Sequence, residues 1–322
     1  MLEFEMGECV FHFINAWQIY KKCIFANILY SLFMSEHLKY PTGERILLFL
    51  IILLISSLIG VSVSAIFMFA DDMGMKLAQG FSSIMMFVVP PIVYYCITRK
   101  ENRMEAMGLR SPAEPRWIIL IGVALMFVSL PVTNQLARWN ESTTLFSAFE
   151  KLEDYLKMLE ETAAATTEKM LNVDTIGGLL LNLLVIALIP AIGEELTFRG
   201  VLQQGLTRKM NPHVAIILSA AIFSFIHFQF YGFLPRMFLG ILLGYMFYIT
   251  DSLWTSILMH FVNNGTAVVV YYLNNKGTIS IDAEHFGEAP STWMVTISAG
   301  VTVLLILWSW WQIDYTKKGG NY

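Results

Sequence analysis

Six polar side chains in the second half of the chain could carry out chemistry, although each lies within an apolar stretch of sequence. They are Glu194, Glu195, Arg199, His227, His260 and Asn264. A charged side chain at the centre of a bilayer costs roughly 2.5 to 3.5 kcal/mol on insertion scales. The first three therefore require either a solvated loop or polar partners inside a helix bundle.

Helix geometry separates the two adjacent glutamates. Glu195 and Arg199 are four residues apart, so they share a helix face and can form an ion pair. Glu194 lies about 100° around the helix from Glu195 and has no partner in its own helix, which leaves its carboxylate free for chemistry or for a proton. Pro190, one turn earlier, is expected to kink the helix and free a backbone carbonyl. Gly193 would let another backbone or a substrate approach closely.

The types of the remaining residues favour hydrolysis. A carboxylate beside a histidine can hold a water molecule and remove its proton. His260 and Asn264 share a helix face and could donate hydrogen bonds to an oxyanion. Glu194, His227 and His260 could instead hold zinc with water in an open position, although the H-E-x-x-H motif is absent. No serine or cysteine within this group is an obvious nucleophile.

Composition indicates the kind of protein that must position these residues. The 322-residue chain is 56% hydrophobic and 14% charged, with a mean hydropathy of +0.58, whereas soluble domains carry about 25% charged residues. The long apolar runs predict an all-α, polytopic membrane protein rather than a barrel. A net charge of −4 gives no case for a nucleic-acid partner. Three cysteines predict neither a disulfide framework nor a metal cluster.

A transmembrane helix needs about 20 mainly apolar residues. Eight stretches predict transmembrane helices: 46–70, 80–98, 117–136, 176–206, 213–230, 233–250, 252–274 and 292–313. Lysine and arginine cluster in alternate connections, as in the segment from Arg99 to Arg116, while the opposite connections are acidic or poor in basic residues. This asymmetry predicts that both termini are cytoplasmic. We expect an integral protein of a bacterial plasma membrane, with the lipid bilayer as its surroundings.

The pattern divides the chain into five segments. The first three are an N-terminal tail (1–44), transmembrane helices 1–3 (45–139) and an extracytoplasmic amphipathic helix (140–175). The last two are helices 4–7 with the polar residues (176–274), and a loop with helix 8 and a basic tail (275–322). The tail either forms an interfacial helix or is not part of the native protein, in which case translation starts at Met34 instead of Met1. The amphipathic helix either covers the bundle or binds a partner.

Three sequence patterns in the second half resemble those of the CPBP family, also called the ABI family, of CAAX proteases and bacteriocin-processing proteins, which includes the Ras-converting CAAX endopeptidases. The family patterns E-E-x-x-x-R, F-x-x-x-H and H-x-x-x-N are matched by Glu194-Glu195-x-x-x-Arg199, Phe223-x-x-x-His227 and His260-x-x-x-Asn264. The matched core runs from about 176 to 270. The resemblance implies an intramembrane endopeptidase that uses glutamate-activated water inside a membrane-embedded cavity of a helix bundle.

The resemblance also implies a role for each matched residue. Glu194 would be the general base that activates water, and His227 would help to hold that water. His260 and Asn264 would stabilise the oxyanion, and the ion pair of the first pattern would support the site structurally. A metal-free mechanism is favoured, with zinc bound by the glutamate and the two histidines as the alternative.

Other functions stay open at this stage. A non-catalytic scaffold or immunity protein could keep the cavity for binding, although none of the matched positions is altered. A proton-coupled transporter could also use intramembrane glutamate and histidine, but the chain lacks the repeat of broken helices typical of that class. The expected substrate is a peptide or membrane-anchored protein that arrives from the cytoplasm or the bilayer. Asn263 is assigned no role, and Arg236 is interpreted as a residue that extends to the membrane surface.

Overall fold

The computed structural model describes residues 42–68, 71–99, 101–113, 115–143, 150–280 and 286–317, and every regular element within these ranges is a helix. The helices are α1 (Thr42–Met68), α2 (Asp72–Thr98), α3 (Arg103–Ala106), α4 (Ile118–Val128), α5 (Leu130–Glu141), α6 (Glu150–Leu171), α7 (Ile176–Thr207), α8 (Pro212–Phe225), α9 (Phe233–Thr250), α10 (Leu253–Asn275) and α11 (Thr292–Lys317). The N-terminal tail and the alternative start at Met34 lie outside the described residues.

The all-helical architecture of a polytopic membrane protein is confirmed, but the count of eight spans is not. Six described helices are long and apolar enough to cross a membrane: α1, α2, α7, α9, α10 and α11. The third predicted span is instead the pair α4 and α5, bent by 42° before Pro131, whose ring disfavours a straight continuation. The fifth is α8, which has only 14 residues because the chain turns after Phe225.

Proline residues shape the two helices that pack behind the site. In α2, a π-helical turn at Ile84–Val88 precedes Pro90 and Pro91, so the helix continues without a sharp break. Pro91 has no N–H to offer the carbonyl of Phe87, four residues earlier. The hydroxyl of Thr197 in α7 donates to that carbonyl at 2.8 Å. The proline therefore provides an acceptor that ties α2 to α7.

Close backbone approach at Gly193 brings α7 against the same part of α2. A Cβ atom at this position would lie 2.9 Å from the Cβ atom of Phe87 and 2.9 Å from a methyl group of Val88. A larger residue would therefore push the two helices apart. The expectation of a close neighbour at Gly193 agrees with this packing, and the neighbour is the α2 helix.

The described helices bury an apolar core and expose an apolar exterior. Leu125 of α4, Leu243 of α9 and Met259 of α10 are fully buried in one cluster. By contrast, Leu54 of α1 and Leu304 of α11 are 61% and 65% exposed, respectively. An extended apolar surface of this kind is typical of contact with lipid. The protein is therefore an integral membrane protein in which α1 and α11 form part of the outer surface.

The helix α6 lies in the segment for which the sequence predicts an amphipathic helix. Residues 140–141 belong to α5, and 144–149 lie outside the described residues. The side-chain amide of Asn182 donates to the carbonyl of Met170 at 2.8 Å, and Asn275 donates to the carbonyl of Leu171 at 3.2 Å. These bonds join the end of α6 to α7 and α10. The helix therefore covers the bundle.

Candidate active site

An ion pair forms the floor of the candidate site. Nη1 of Arg199 donates to Oε1 of Glu195 at 2.6 Å, and both side chains are buried. Nη2 of Arg199 donates to the carbonyl of Gly240 at 2.7 Å, and the guanidinium lies 5.1 Å from the ring centre of Phe223. Pairing and hydrogen bonding reduce the cost of burying two charges. We call Glu195, Arg199, Gly240 and Phe223 the floor, since they join α7, α8 and α9.

His260 links the floor to the second glutamate. Nδ1 of His260 donates to Oε1 of Glu195 at 2.9 Å, and Nε2 lies 3.7 Å from Oε2 of Glu194. An ionised carboxylate only accepts hydrogen bonds, so the proton must be on Nδ1. Such a bond fixes the orientation of an imidazole ring. The buried ring of His260 is thereby held with its Nε2 atom towards Glu194.

Glu194 is in a different environment from its neighbour in sequence. Its side chain is 7% exposed and lines a cavity of about 670 Å³, which also contains His227 and His260. Within the described part of the chain, the Glu194 carboxylate accepts no hydrogen bond, and the His260 ring is its near partner. Both residues lie in the α-helical part of α7, where adjacent side chains are about 100° apart, so the two carboxylates point in different directions. One therefore faces the floor and the other faces the cavity.

A turn after α8 positions His227. Its Nδ1 atom donates to the carbonyl of Phe223 at 2.8 Å, which leaves Nε2 of the neutral ring as a hydrogen-bond acceptor. The next residue, Phe228, has φ of +53°, in the left-handed region that non-glycine residues rarely adopt. Strained backbone of this kind is common at functional sites, where the surrounding structure maintains it. The turn ends α8 and brings His227 to the cavity.

Asn264 contacts the carbonyl that Pro190 leaves without an N–H donor. Pro190 cannot donate to the carbonyl of Ile186, and Nδ2 of Asn264 donates to it at 3.4 Å. Oδ1 of Asn264 accepts a hydrogen bond from Nδ2 of Asn263 at 3.0 Å. Both asparagines line the cavity. Asn263, to which the sequence assigned no role, is therefore part of the cavity wall.

Arg236 is also part of the cavity wall, so its interpretation as a membrane-surface residue was wrong. Nη2 of Arg236 donates to Oε1 of Gln229 at 2.9 Å, and Nη1 donates to the carbonyl of the same residue at 3.4 Å. The reason is the position of α9, whose first turn follows directly on the turn that carries His227. Gln229 and Arg236 are polar residues close to His227 in the sequence, and this proximity could have identified them as part of the site.

One face of the helix α6 lines the cavity. Its lining residues are small, hydroxyl-bearing or apolar: Leu159, Thr162, Ala163, Thr166, Thr167 and Met170. Oε2 of Glu160 accepts a hydrogen bond from the backbone N–H of Tyr231 at 3.1 Å, which fixes α6 to the turn after α8. We call this face of α6 the roof. Its contribution to the site was not recognised from its amphipathic pattern.

The donor atoms are not gathered as a metal site. Glu194, His227 and His260 line one cavity. Across the described ranges, however, no three histidine, cysteine, aspartate or glutamate side chains are close enough together to hold a metal ion. Nδ1 of His260 is engaged with Glu195, and Nδ1 of His227 is engaged with a backbone carbonyl. Each ring has one nitrogen left for chemistry.

Residues 176–266 match the family model of the Rce1-like type II CAAX prenyl endopeptidases. The chain carries an Rce1-like domain of the CPBP and CAAX protease family. This domain extends from the start of α7 into α10, and it includes all six polar residues from which the sequence analysis began. Neither a curated protein nor a solved structure matches the chain.

The Rce1-like domain supplies the floor and all of the catalytic candidates, while other elements complete the cavity. The roof on α6 and Gln79 on α2 both precede the matched segment. The match supports an enzyme of the CAAX endopeptidase kind. Surfaces outside the matched segment therefore contribute to the space in which a substrate would be held.

Proposed function

We propose that this protein is an intramembrane endopeptidase that hydrolyses a peptide bond with water activated by Glu194. One observation carries the proposal. Of two adjacent buried glutamates, Glu195 is paired with Arg199 at 2.6 Å, whereas Glu194 faces a cavity of about 670 Å³ without a hydrogen-bond donor from the described residues. A carboxylate kept at membrane depth without such a partner needs a use that offsets its burial.

The first step is attack by water on the peptide carbonyl. A water molecule donates one hydrogen bond to the Glu194 carboxylate and the other to Nε2 of His227, which is an acceptor because Nδ1 donates to Phe223. The water oxygen forms a bond with the carbonyl carbon as its proton moves to Glu194. Glu194 then gives this proton to the leaving nitrogen as the C–N bond breaks. General acid–base catalysis of this type contributes about 10²- to 10⁴-fold.

The second requirement is stabilisation of the oxyanion that forms during attack. Nδ1 of His260 donates to Glu195, so Nε2 can donate as well only when both ring nitrogens carry a proton. The side-chain amide of Asn264 has two N–H groups, and one of them is used by the Ile186 carbonyl. We assign the Nε2–H of His260 and the other N–H of Asn264 as oxyanion donors.

We propose a metal-free reaction. A zinc mechanism would need Glu194, His227 and His260 as a joint ligand set, and the described side chains do not form such a set. The hydrogen bond from Nδ1 of His260 to Glu195 would orient the ring equally well as a zinc ligand or as an oxyanion donor. Removal of metal with a chelator is therefore the deciding test: activity that is lost and then recovered with zinc would contradict this proposal.

We further propose that a peptide or membrane-anchored protein enters from the side of α6. The roof and Gln229 border the cavity, while the floor and the bond from Gln203 to the Gly244 carbonyl, at 2.9 Å, separate it from the opposite face. Arg208 and Arg110 lie at that opposite face, at or beyond the ends of helices. Because basic residues favour the cytoplasm, the α6 side is assigned as extracytoplasmic, and this proposal replaces the expected entry from the cytoplasm.

The experiment is cleavage of a reporter with one membrane anchor by the purified protein in lipid nanodiscs. The wild type is compared with Glu194→Ala, His227→Ala and His260→Ala, and with His213→Ala as a matched control. His213 lies at the start of α8 and contacts Tyr245 away from the cavity. We expect cleavage by the wild type and the control alone. Equal cleavage by all five proteins would contradict the assignment, and tight binding without cleavage by the wild type would favour a scaffold.

A further inference from the structure

Arg236 has a position that the proposed hydrolysis does not use. It lines the same cavity as Glu194, His227 and His260, and it is partly buried. Its hydrogen bonds run to Gln229, a neutral residue, through the side-chain oxygen at 2.9 Å and the backbone carbonyl at 3.4 Å. Arg236 therefore keeps its charge in the cavity without a direct anionic partner among the described residues.

The buried Arg199 and the partly buried Arg236 differ in this respect. Arg199 meets a carboxylate at 2.6 Å, so its charge is neutralised within the bundle. Arg236 has its main electrostatic attraction to Glu160 and Glu194. Neither carboxylate is close enough to form an ion pair with it. Glu160 instead accepts the backbone N–H of Tyr231. A partly buried guanidinium without a paired carboxylate is costly, unless an anion enters the site.

The chemistry of the guanidinium group selects the kind of anion. It presents five N–H donors in a planar fork, and this fork matches a carboxylate with two parallel hydrogen bonds. Two of these donors are directed to Gln229, which leaves three for a ligand in the cavity. The threonines of the roof add no donors, because their hydroxyl groups donate to backbone carbonyls of α6. The N–H donors of Arg236 therefore suit a carboxylate.

From this arrangement we infer that Arg236 binds a carboxylate of the peptide that is cut, an inference that rests on the proposed function. The carboxylate is either the C-terminus of the substrate or an acidic side chain near the scissile bond. A cavity of about 670 Å³ is within the range of roughly 300 to 1,000 Å³ that holds a drug-sized ligand. Only a few residues therefore separate the bound carboxylate from the peptide bond near Glu194.

Three matched peptides test this inference on the full-length protein in nanodiscs. The first has a free C-terminus, the second has a C-terminal amide, and the third has the amide together with one glutamate near the cleavage site. We measure kcat/KM for the wild type, Arg236→Gln and Arg236→Lys. Arg138→Gln is the control, because Arg138 pairs with Glu288 at 3.2 Å outside the cavity.

In the wild type, the amide is expected to lower kcat/KM by roughly 10- to 100-fold, the usual effect of losing a hydrogen-bonded charge. Arg236→Gln should cut the acid and amide peptides at nearly equal rates, while Arg138→Gln keeps the wild-type ratio. Arg236→Lys should keep part of the preference, because the charge remains but the fork is lost. Rescue by the internal glutamate would identify a side-chain carboxylate, and its absence would identify the C-terminus.

A binding measurement separates this inference from the proposed function. Fluorescent versions of the acid and amide peptides are titrated against Glu194→Gln and against the double variant Glu194→Gln with Arg236→Gln. An acid preference that disappears in the double variant would support the carboxylate site even if no protein cleaved the peptides. Equal binding of the acid peptide, the amide peptide and a fluorescent version of the glutamate-bearing peptide to Glu194→Gln would overturn the inference even if cleavage were observed. An acid preference that survives without Arg236 would overturn it as well.

Discussion

The floor of the site and the cavity above it use the same residue types in opposite ways. In the floor, Glu195 is held by Arg199 at 2.6 Å and by His260 at 2.9 Å. In the cavity, Glu194 has only the His260 ring near it, at 3.7 Å, and Arg236 forms no ion pair with a described residue. This difference indicates that paired charges hold the helices together, whereas charges that line the cavity are available to a ligand.

The largest effect on folding is expected from breaking the pair in the floor. Arg199→Met leaves the Glu195 carboxylate buried without its guanidinium partner, and loss of one member of a buried pair costs about 3–5 kcal/mol. We expect a large fall in the free energy of unfolding, measured by denaturant titration in mild detergent. The matched change Arg236→Met, in the cavity, should cost much less.

A second variant sharpens this comparison. In the double variant Arg199→Met with Glu195→Gln, no unpaired charge is left in the floor, so part of the lost stability should return. Activity should stay low, because His260 loses the carboxylate that orients its ring. A double variant as unstable as Arg199→Met alone would show that the pair does not account for the cost.

The next effect is on turnover. His227→Ala removes the proposed water acceptor from the cavity but leaves the floor unchanged, so we expect about a 100-fold fall in kcat. The free energy of unfolding should change little, because the ring of His227 is only partly buried. The two values are measured on the same preparation. If His227→Ala lost as much stability as Arg199→Met, His227 would have a structural role like that of the floor. The proposed difference between the floor and the cavity would then be wrong.

The smallest effect is expected at the roof. Asn275→Leu removes the hydrogen bond to the carbonyl of Leu171, which is worth about 1 kcal/mol. We expect faster hydrogen exchange at the end of α6 and a change in KM of a few fold, with kcat retained. The control is Thr162→Ser, which keeps a hydroxyl group on the roof and leaves the bond between Asn275 and Leu171 unchanged. Unchanged exchange in Asn275→Leu would show that α6 is held by other contacts.

Local helix geometry explains which parts of the site could be predicted. The pair of Glu195 and Arg199 follows from a spacing of four residues, since that spacing is fixed by the backbone alone. The freed carbonyl before Pro190 follows in the same way. The partner that reaches it, Asn264, depends on how α10 packs against α7, and no periodicity in the sequence reports that distance.

The parts that were missed depend on turns and on contacts between distant segments. Hydropathy extended the fifth span to residue 230, but α8 ends at Phe225 and Phe228 has a positive φ. This turn carries α9 towards the site, and it explains why Arg236 lines the cavity. The roof was missed for a similar reason: an amphipathic pattern predicts that one face of α6 is covered, without identifying what that face covers.

The central claim is that Glu194, and not Glu195, activates the attacking water. The most direct test is single-turnover cleavage by purified Glu194→Gln, which keeps the size of the side chain and removes its basic oxygen. We predict that the rate falls by about 10³-fold or more, within the range of general-base catalysis, while the unfolding midpoint stays at that of the wild type. Wild-type cleavage by a folded Glu194→Gln protein would contradict this account.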